Sequence, residues 1–573
     1  MISRRNSGAE EAEGFSLDLS LRKLINKYDC NFTFFIGGMF AIVLFCCVYG
    51  VRIINPSYDD WLFCGLNRED LFQHYLGWLM YRNSEWYFPI TLIDNVYYPH
   101  LMPVVYTDSV PIFAVVFKIL SPLLPERFQY FGLFGVFTYF FMGGFSALVL
   151  YKFTYSKVYS VIGSVFCSFS MLMLIRTFWH TALGAQWIVL ASIYIMFHKE
   201  KEWSIKKSAA YWSLLIFLAM GIQAYFLPMV MITMFFSILA GVLDKKNRRY
   251  SWLKLVTCLF SGCLVVFISG WILGYFYGSV SNVGTGLGFF SYNYNSFINN
   301  MEYSYIFPSF PLFHWGQYEG YAYLGAGIYL CMIVATCLSF VKKNKNEDVV
   351  DGNLIKVLPF YCIILIIFAG SNIISWGDIG YEIPLPRFFT DIWALFRSSG
   401  RMIWPVFYMF TLLILAALYK VVNKKRMAIV ICVLCLALQL YENSYYALIV
   451  HRTYSVEHKY DSMLEDEEWI RIADNYDHFM ICSDIEQIYT DYDAKNKSLE
   501  LAYFANEHGM TVNTMFFARD VSSVVNNEIE QYFGSGVPEM NDTTVYVFLD
   551  GITNDDLNLE YHEYDGIVIG ERR

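Results

Sequence analysis

FTFFIGGMFAIVLFCCVYGV, residues Phe32 to Val51, runs for twenty positions without a charged side chain. About twenty consecutive apolar residues is the length that carries an α-helix through the hydrocarbon core of a bilayer. The run is too long for the apolar region of a signal peptide, and the segment before it, Met1 to Lys27, is polar and mixed in charge. It therefore reads as an uncleaved first span. Everything that follows has to be threaded relative to a membrane.

The composition agrees. Of 573 residues, 56% are hydrophobic, 19% aromatic and only 16% charged, whereas a soluble chain carries about a quarter of its residues as charges. Apolar runs alternate with small basic clusters: Arg22, Lys23 and Lys27; Lys199, Lys201, Lys206 and Lys207; Lys245, Lys246, Arg248 and Arg249; Lys342, Lys343 and Lys345; Lys424, Lys425 and Arg426. The positive-inside rule assigns these loops to the cytoplasm. Alternation between them predicts eleven spans, at 32–51, 128–151, 158–174, 183–197, 209–225, 226–243, 255–277, 323–340, 357–370, 402–418 and 427–448. The N-terminus is then inside and the C-terminus outside. The run 110–120 is too short to cross and is expected to be re-entrant or interfacial.

Three units follow: a cytoplasmic N-terminal segment 1–31, a membrane domain 32–450 with a long first outer loop 52–127, and an extracytoplasmic tail 451–573. The tail holds about half of all Asp and Glu but only about a fifth of Lys and Arg. HFMIC, MTVNTMFFA, TTVYVFL and DGIVIG read as its strands, and SMLEDEEWIRIADNY and SLELAYFANEHG as its helices, a small α/β domain. Most cysteines lie inside apolar runs as small hydrophobes. Cys64 and Cys482 lie outside them and leave a bridge open. No cysteine spacing suggests zinc.

Polar chemistry collects in the outer segments 52–127, 278–322 and 371–401. In REDLFQHYLGW, Asp70, Gln73, His74 and Gly77 fall at i, i+3, i+4 and i+7, one face of an interfacial helix. The alternative is a capping box between Asn67 and Asp70. Asp108, in YTDSVP, is a second acid, with a helix N-cap as its alternative; Lys118 beyond it is expected to snorkel to the interface. Arg176 and His180 in IRTFWHTALGAQW are one turn apart at a membrane boundary, suited to an anion or to anchoring. Arg387, Arg397 and Arg401 sit on the outer side against the charge trend, with Arg397 and Arg401 one turn apart if helical. Guanidinium groups there suit a phosphate; an ion pair with Asp391 is the alternative. Glu302 and the aromatic HWGQYEGYAYLG complete this surface.

The long first loop with an early carboxylate, the interfacial helices, the many spans and the outer tail resemble the GT-C superfamily of membrane glycosyltransferases. DLFQHYLGW, YTDSVP, RTFWHTALGAQW, GYAYLGAGIYL and FRSSGRMIWPVFY look most like an uncharacterised family of bacterial GT-C-like membrane proteins. The resemblance implies transfer with inversion from a polyprenyl-phosphate-linked sugar to a cell-envelope glycan, lipid or protein, in the bacterial cytoplasmic membrane. It implies an outer-loop acid that acts as base or helps hold a metal ion or the acceptor, so a divalent cation is the cofactor in question. Asp70 matches that acid and Asp108 is the second choice. Gln73, His74, Arg176, His180, Glu302, Arg397 and Arg401 are the expected substrate-binding residues, with Arg397 and Arg401 on the donor phosphate. Asp59 and Asp60, closer to the first span, are the competing loop acids. No nucleic-acid partner is implied. The other functional class that fits is a transporter, flippase or assembly partner for envelope polysaccharide.

Overall fold

The computed structural model describes residues 28–197, 203–244, 248–278, 287–341, 352–519, 521–534, 540–553 and 557–573. Residues 1–27 and the basic residues Lys199, Lys201, Lys245, Lys246, Lys342, Lys343 and Lys345 lie outside the described residues. Of the described residues, 62% are helical. Among the described residues, seven helices are long and apolar enough to cross a membrane: Tyr28–Tyr49, Phe131–Thr154, Ile205–Ile222, Arg248–Ile272, Gly352–Gly370, Ser399–Val421 and Lys425–Tyr454. Shorter apolar helices at Lys157–Ser168, Thr181–Phe197, Phe226–Val242 and Ala326–Phe340 lie between them. The chain is thus a helical membrane protein. Isoleucines such as Ile363, Ile364 and Ile367 stay exposed on the Gly352–Gly370 helix, as lipid-facing side chains do.

The short run after Asp108 forms the helix Pro111–Leu120. Lys118 within it does not snorkel. It is buried, donates to the Glu85 carbonyl at 3.1 Å, and lies 4.2 Å and 4.7 Å from the ring centroids of Tyr81 and Trp86. Carbonyl and aromatic faces replace water around the ammonium.

At one end of the bundle the connecting segments fold on one another. Asn67 donates to the Trp179 carbonyl, Gln223 donates to Asp108, and Arg176 and Arg401 both meet Glu319. The 371–403 segment opens with an antiparallel hairpin, Ile373–Trp376 with Ile379–Glu382, and continues into the helix Arg387–Ala394.

The tail closes this end. Its five-stranded sheet runs in the order Thr511–Val512, His478–Ile481, Thr544–Phe548, Ile567–Arg572, Leu559–Tyr564; the first three strands are parallel and the last two antiparallel. The strands expected near 478, 544 and 567 form. The stretch 510–518 contributes only two strand residues, while the strand Leu559–Tyr564 and the helix Ser522–Gly534 had no counterpart in the sequence expectation. LEYHEY is polar enough to read as a loop and becomes a strand by pairing with Ile567–Arg572. Docking onto the first long loop is direct. Phe63 stacks on Tyr460 at 3.9 Å, Arg68 pairs with Glu500 at 2.9 Å, and Val96 bridges to Val512. Cys64 and Cys482 are both free thiols.

Candidate functional site

REDLFQHYLGW opens the helix Arg68–Asn83, and its predicted polar face turns inward: Gln73 and His74 are fully buried. Gly77 completes that face because the 107–109 turn lies directly against it. A Cβ there would stand 2.1 Å from Thr107 Oγ1 and 2.5 Å from Ser109 Oγ, closer than any side chain permits. Ser109 Oγ in turn donates to the His74 carbonyl at 2.6 Å. The turn holds Asp108 at φ 52°, where it accepts from Gln223 Nε2 at 2.9 Å. Val110, not Asp108, is the N-cap of the following helix, so the capping alternative for Asp108 fails.

The capping alternative for Asp70 fails too. Asn67 takes the N-cap position but its side chain accepts no backbone N–H. Instead Asn67 Nδ2 donates to Asp70 Oδ2 at 2.5 Å, and to the Trp179 carbonyl at 3.2 Å. His180 Nδ1 stands 3.3 Å from the same Oδ2. Among the described residues nothing donates to Oδ1. Asp70 is about one-fifth exposed. Burial pushes its carboxyl up to about 6; the Asn67 amide pulls against this, and the Asp108 charge adds to the rise. Burial pushes the His74 imidazole down to about 4, with Asp108 opposing. His180 is held well below the usual histidine range by burial; Glu319 opposes this, and the Arg401 and Arg176 charges reinforce it. A neutral His180 protonated at Nδ1 donates to Asp70 and leaves Nε2 facing Glu319 Oε1 at 3.8 Å.

Glu319 is the centre that sequence patterns missed. It is 2% exposed and meets two guanidinium groups: Arg176 Nη2 at 2.8 Å, and Arg401 through Nε at 2.8 Å and Nη2 at 2.7 Å. Burial alone would raise its carboxyl, but Arg176 and Arg401 hold it well below the usual range. Gly400 makes this meeting feasible. Its N–H donates to the Phe290 carbonyl at 2.9 Å, and a Cβ on it would stand 2.8 Å from Gly320 N. With only hydrogens there, the Arg401 and Glu319 backbones pass in contact. Arg176 also lies over the Tyr318 and Trp404 rings at 5.3 Å and 5.8 Å. Its Nε and Nη1 are buried without a partner among the described residues, as are both ends of the Gln73 amide.

Asp70, Gln73, His74, Asp108, Arg176, His180 and Arg401 therefore converge. Two expected residues do not join them. Arg397 is exposed over the Phe290 ring at 5.2 Å, because the helix Arg387–Ala394 ends before it and the 399–403 turn that carries Arg401 is a separate element. Glu302 is exposed, in a turn at φ 70°. For Arg401 the Asp391 pairing gives way to Glu319. Asp59 and Asp60, the competing loop acids, serve elsewhere. Asp59 is buried and accepts from Tyr75 at 2.7 Å, and Asp60 accepts from the Tyr460 N–H at 2.9 Å. The tail adds Lys495, whose charge reaches Asp70. Among the described residues no three His, Cys, Asp or Glu side chains group closely enough to hold a metal ion.

A family model described as a domain of unknown function (DUF6311) matches residues 38–444, and one described as the DUF6311 C-terminal domain matches residues 468–572. The chain belongs to the DUF6311 family. None of the curated proteins compared with it matches.

Proposed function

We propose that this DUF6311 protein is a membrane glycosyltransferase of GT-C type. It would move a sugar, with inversion, from a polyprenyl-phosphate-linked donor to a cell-envelope acceptor. The observation that carries this is Asp70. Its Oδ2 is fixed by Asn67 and His180, its Oδ1 is open, and burial sets its carboxyl to about 6. A base of that strength is mostly ionised at neutral pH and close enough to it to exchange protons readily.

In the proposed reaction the acceptor hydroxyl gives its proton to Asp70 Oδ1 as its oxygen bonds to the anomeric carbon. The bond from that carbon to the donor phosphate oxygen breaks, and the phosphate leaves with the electron pair. The arginine centre supplies the counter-charge. Two guanidinium groups share one carboxylate at Glu319, which leaves one net positive charge, and the unpartnered N–H groups of Arg176 belong to it. Arg397, exposed over the Phe290 ring and outside this cluster, would be a further cation for the donor phosphate. Gln73 and His74 line the base side, and the unpartnered Gln73 amide is a group that a polar ligand would satisfy. Asp70 and Asp108 are the carboxylates towards which a divalent cation would be drawn; no step above depends on one.

The same proposal includes eleven spans, the N-terminus in the cytoplasm and this end of the bundle on the outer face of the bacterial membrane. Four of the five shorter apolar helices, all but Pro111–Leu123, would supply the spans beyond the seven long ones. The test is Asp70→Asn, which keeps the shape and removes the base. Membranes containing it should insert the protein normally and transfer radiolabelled sugar from the polyprenyl-phosphate pool about 100-fold or more slowly. Unchanged transfer and unchanged envelope glycan composition would overturn the assignment.

A further inference from the structure

The segment between the Gly352–Gly370 helix and Arg401 presents an apolar surface that no part of the described chain covers. In the hairpin Ile373–Trp376 with Ile379–Glu382, Ile374 lies opposite Tyr381 and Trp376 opposite Ile379. Because strand side chains alternate between faces, these two cross-strand pairs stand on one face. All four residues are exposed, Ile379 at 77% and Tyr381 at 66%. On the other face Ile373 and Ser375 are covered and Gly380 packs on the Phe313 ring, with only Glu382 at its end exposed. The helix Arg387–Ala394 extends the same character. Phe388, Phe389 and Leu395 are exposed, while Trp393 anchors the segment by donating to the Phe368 carbonyl at 3.0 Å.

We infer that this hairpin and helix lie in the interfacial layer of the bilayer, with phospholipid headgroups and upper acyl chains as the partner. Continuity names that partner. The exposed stripe Phe360, Ile363, Ile364 and Ile367 belongs to a helix that spans the membrane, and the hairpin begins three residues after that helix ends. Trp376, Tyr381, Phe388 and Phe389 are aromatic side chains of the kind that settle at headgroup depth. The exposed charges almost balance, Arg387 and Arg397 against Asp378, Glu382 and Asp391. Apolar burial, not attraction to anionic lipid, therefore holds the segment in place. Since Ser398 to Arg401 follow directly, the Arg401–Glu319 pair is held beside the lipid headgroups. This seating does not depend on the glycosyltransferase proposal.

The full chain in phosphatidylcholine nanodiscs, carrying Ile379→p-benzoylphenylalanine, tests it by photocrosslinking and mass spectrometry. The same replacement at Ile363, exposed on the span, and at Ile552, exposed on the tail, gives the lipid and water references. Lipid adducts at Ile379 should come within about twofold of Ile363 and exceed Ile552 about tenfold. Adding phosphatidylglycerol should leave that yield unchanged. A yield no higher than at Ile552, crosslinks to a second copy in place of lipid, or adducts that need anionic lipid would each overturn the inference.

Discussion

Asp70 is a proton acceptor above about pH 6 and a protonated acid below it, because burial has raised its carboxyl to about 6. If it is the base, transfer should fall as pH drops through that value. Asn67 pulls the carboxyl down, so Asn67→Ala should move this acid limb to higher pH. A pH–rate profile on membranes checks both, and a limb that stays near 6 in the variant would remove Asn67 from the account. At this scale sequence spacing was informative. Helical periodicity placed Gln73 and His74 on the buried face of Asp70, and the turn spacing of Arg176 and His180 brought both to one centre. Glu319 escaped because nothing local marks it. An acid within aromatic and glycine residues looks like surface until Arg176 and Arg401, distant in the chain, arrive to surround it.

Elements set the distances between these residues, chiefly by letting backbones touch. Gly400 against Gly320 brings the 399–403 turn onto the 315–320 turn. Gly400→Ala should therefore cost about 1–3 kcal/mol through overpacking. Gly352→Ala, where a Cβ meets nothing within 4 Å, should cost far less. Thermal unfolding of the purified protein in detergent separates the two, and equal losses would mean that the Gly400 approach is unimportant. The apolar helices were legible element by element, since twenty uncharged residues in a membrane have one satisfied backbone conformation. The 373–382 hairpin and the 559–564 strand were not, because each depends on a partner strand chosen by the fold. The helical alignment of Arg397 with Arg401 failed for a related reason: two short elements replace the one helix that the spacing assumed.

Across the whole molecule the tail and the first long loop behave as one body around the candidate site. Arg68 Nη2 donates to Glu500 at 2.9 Å, and the Glu500 carboxylate, fully buried, also accepts from Tyr460. Arg68→Ala would leave that buried carboxylate without the Arg68 charge, with the Tyr460 and Ser462 hydroxyls still donating to it, at about 1–3 kcal/mol. Limited proteolysis should then release the tail sooner than in the parent protein; unchanged cleavage would mean that the remaining contacts suffice. The sequence by itself determined that the chain lives in a membrane as a bundle of helices, with an acidic α/β tail. Both follow from how apolar length and charge partition between lipid and water, which needs no knowledge of neighbours. Tertiary structure alone decided that Glu319 organises the arginines, that Asp70 pairs with His180, and that the tail covers the first loop. Those contacts join residues from 82 to 432 positions apart, and only the packed fold selects which distant partners relieve a buried charge.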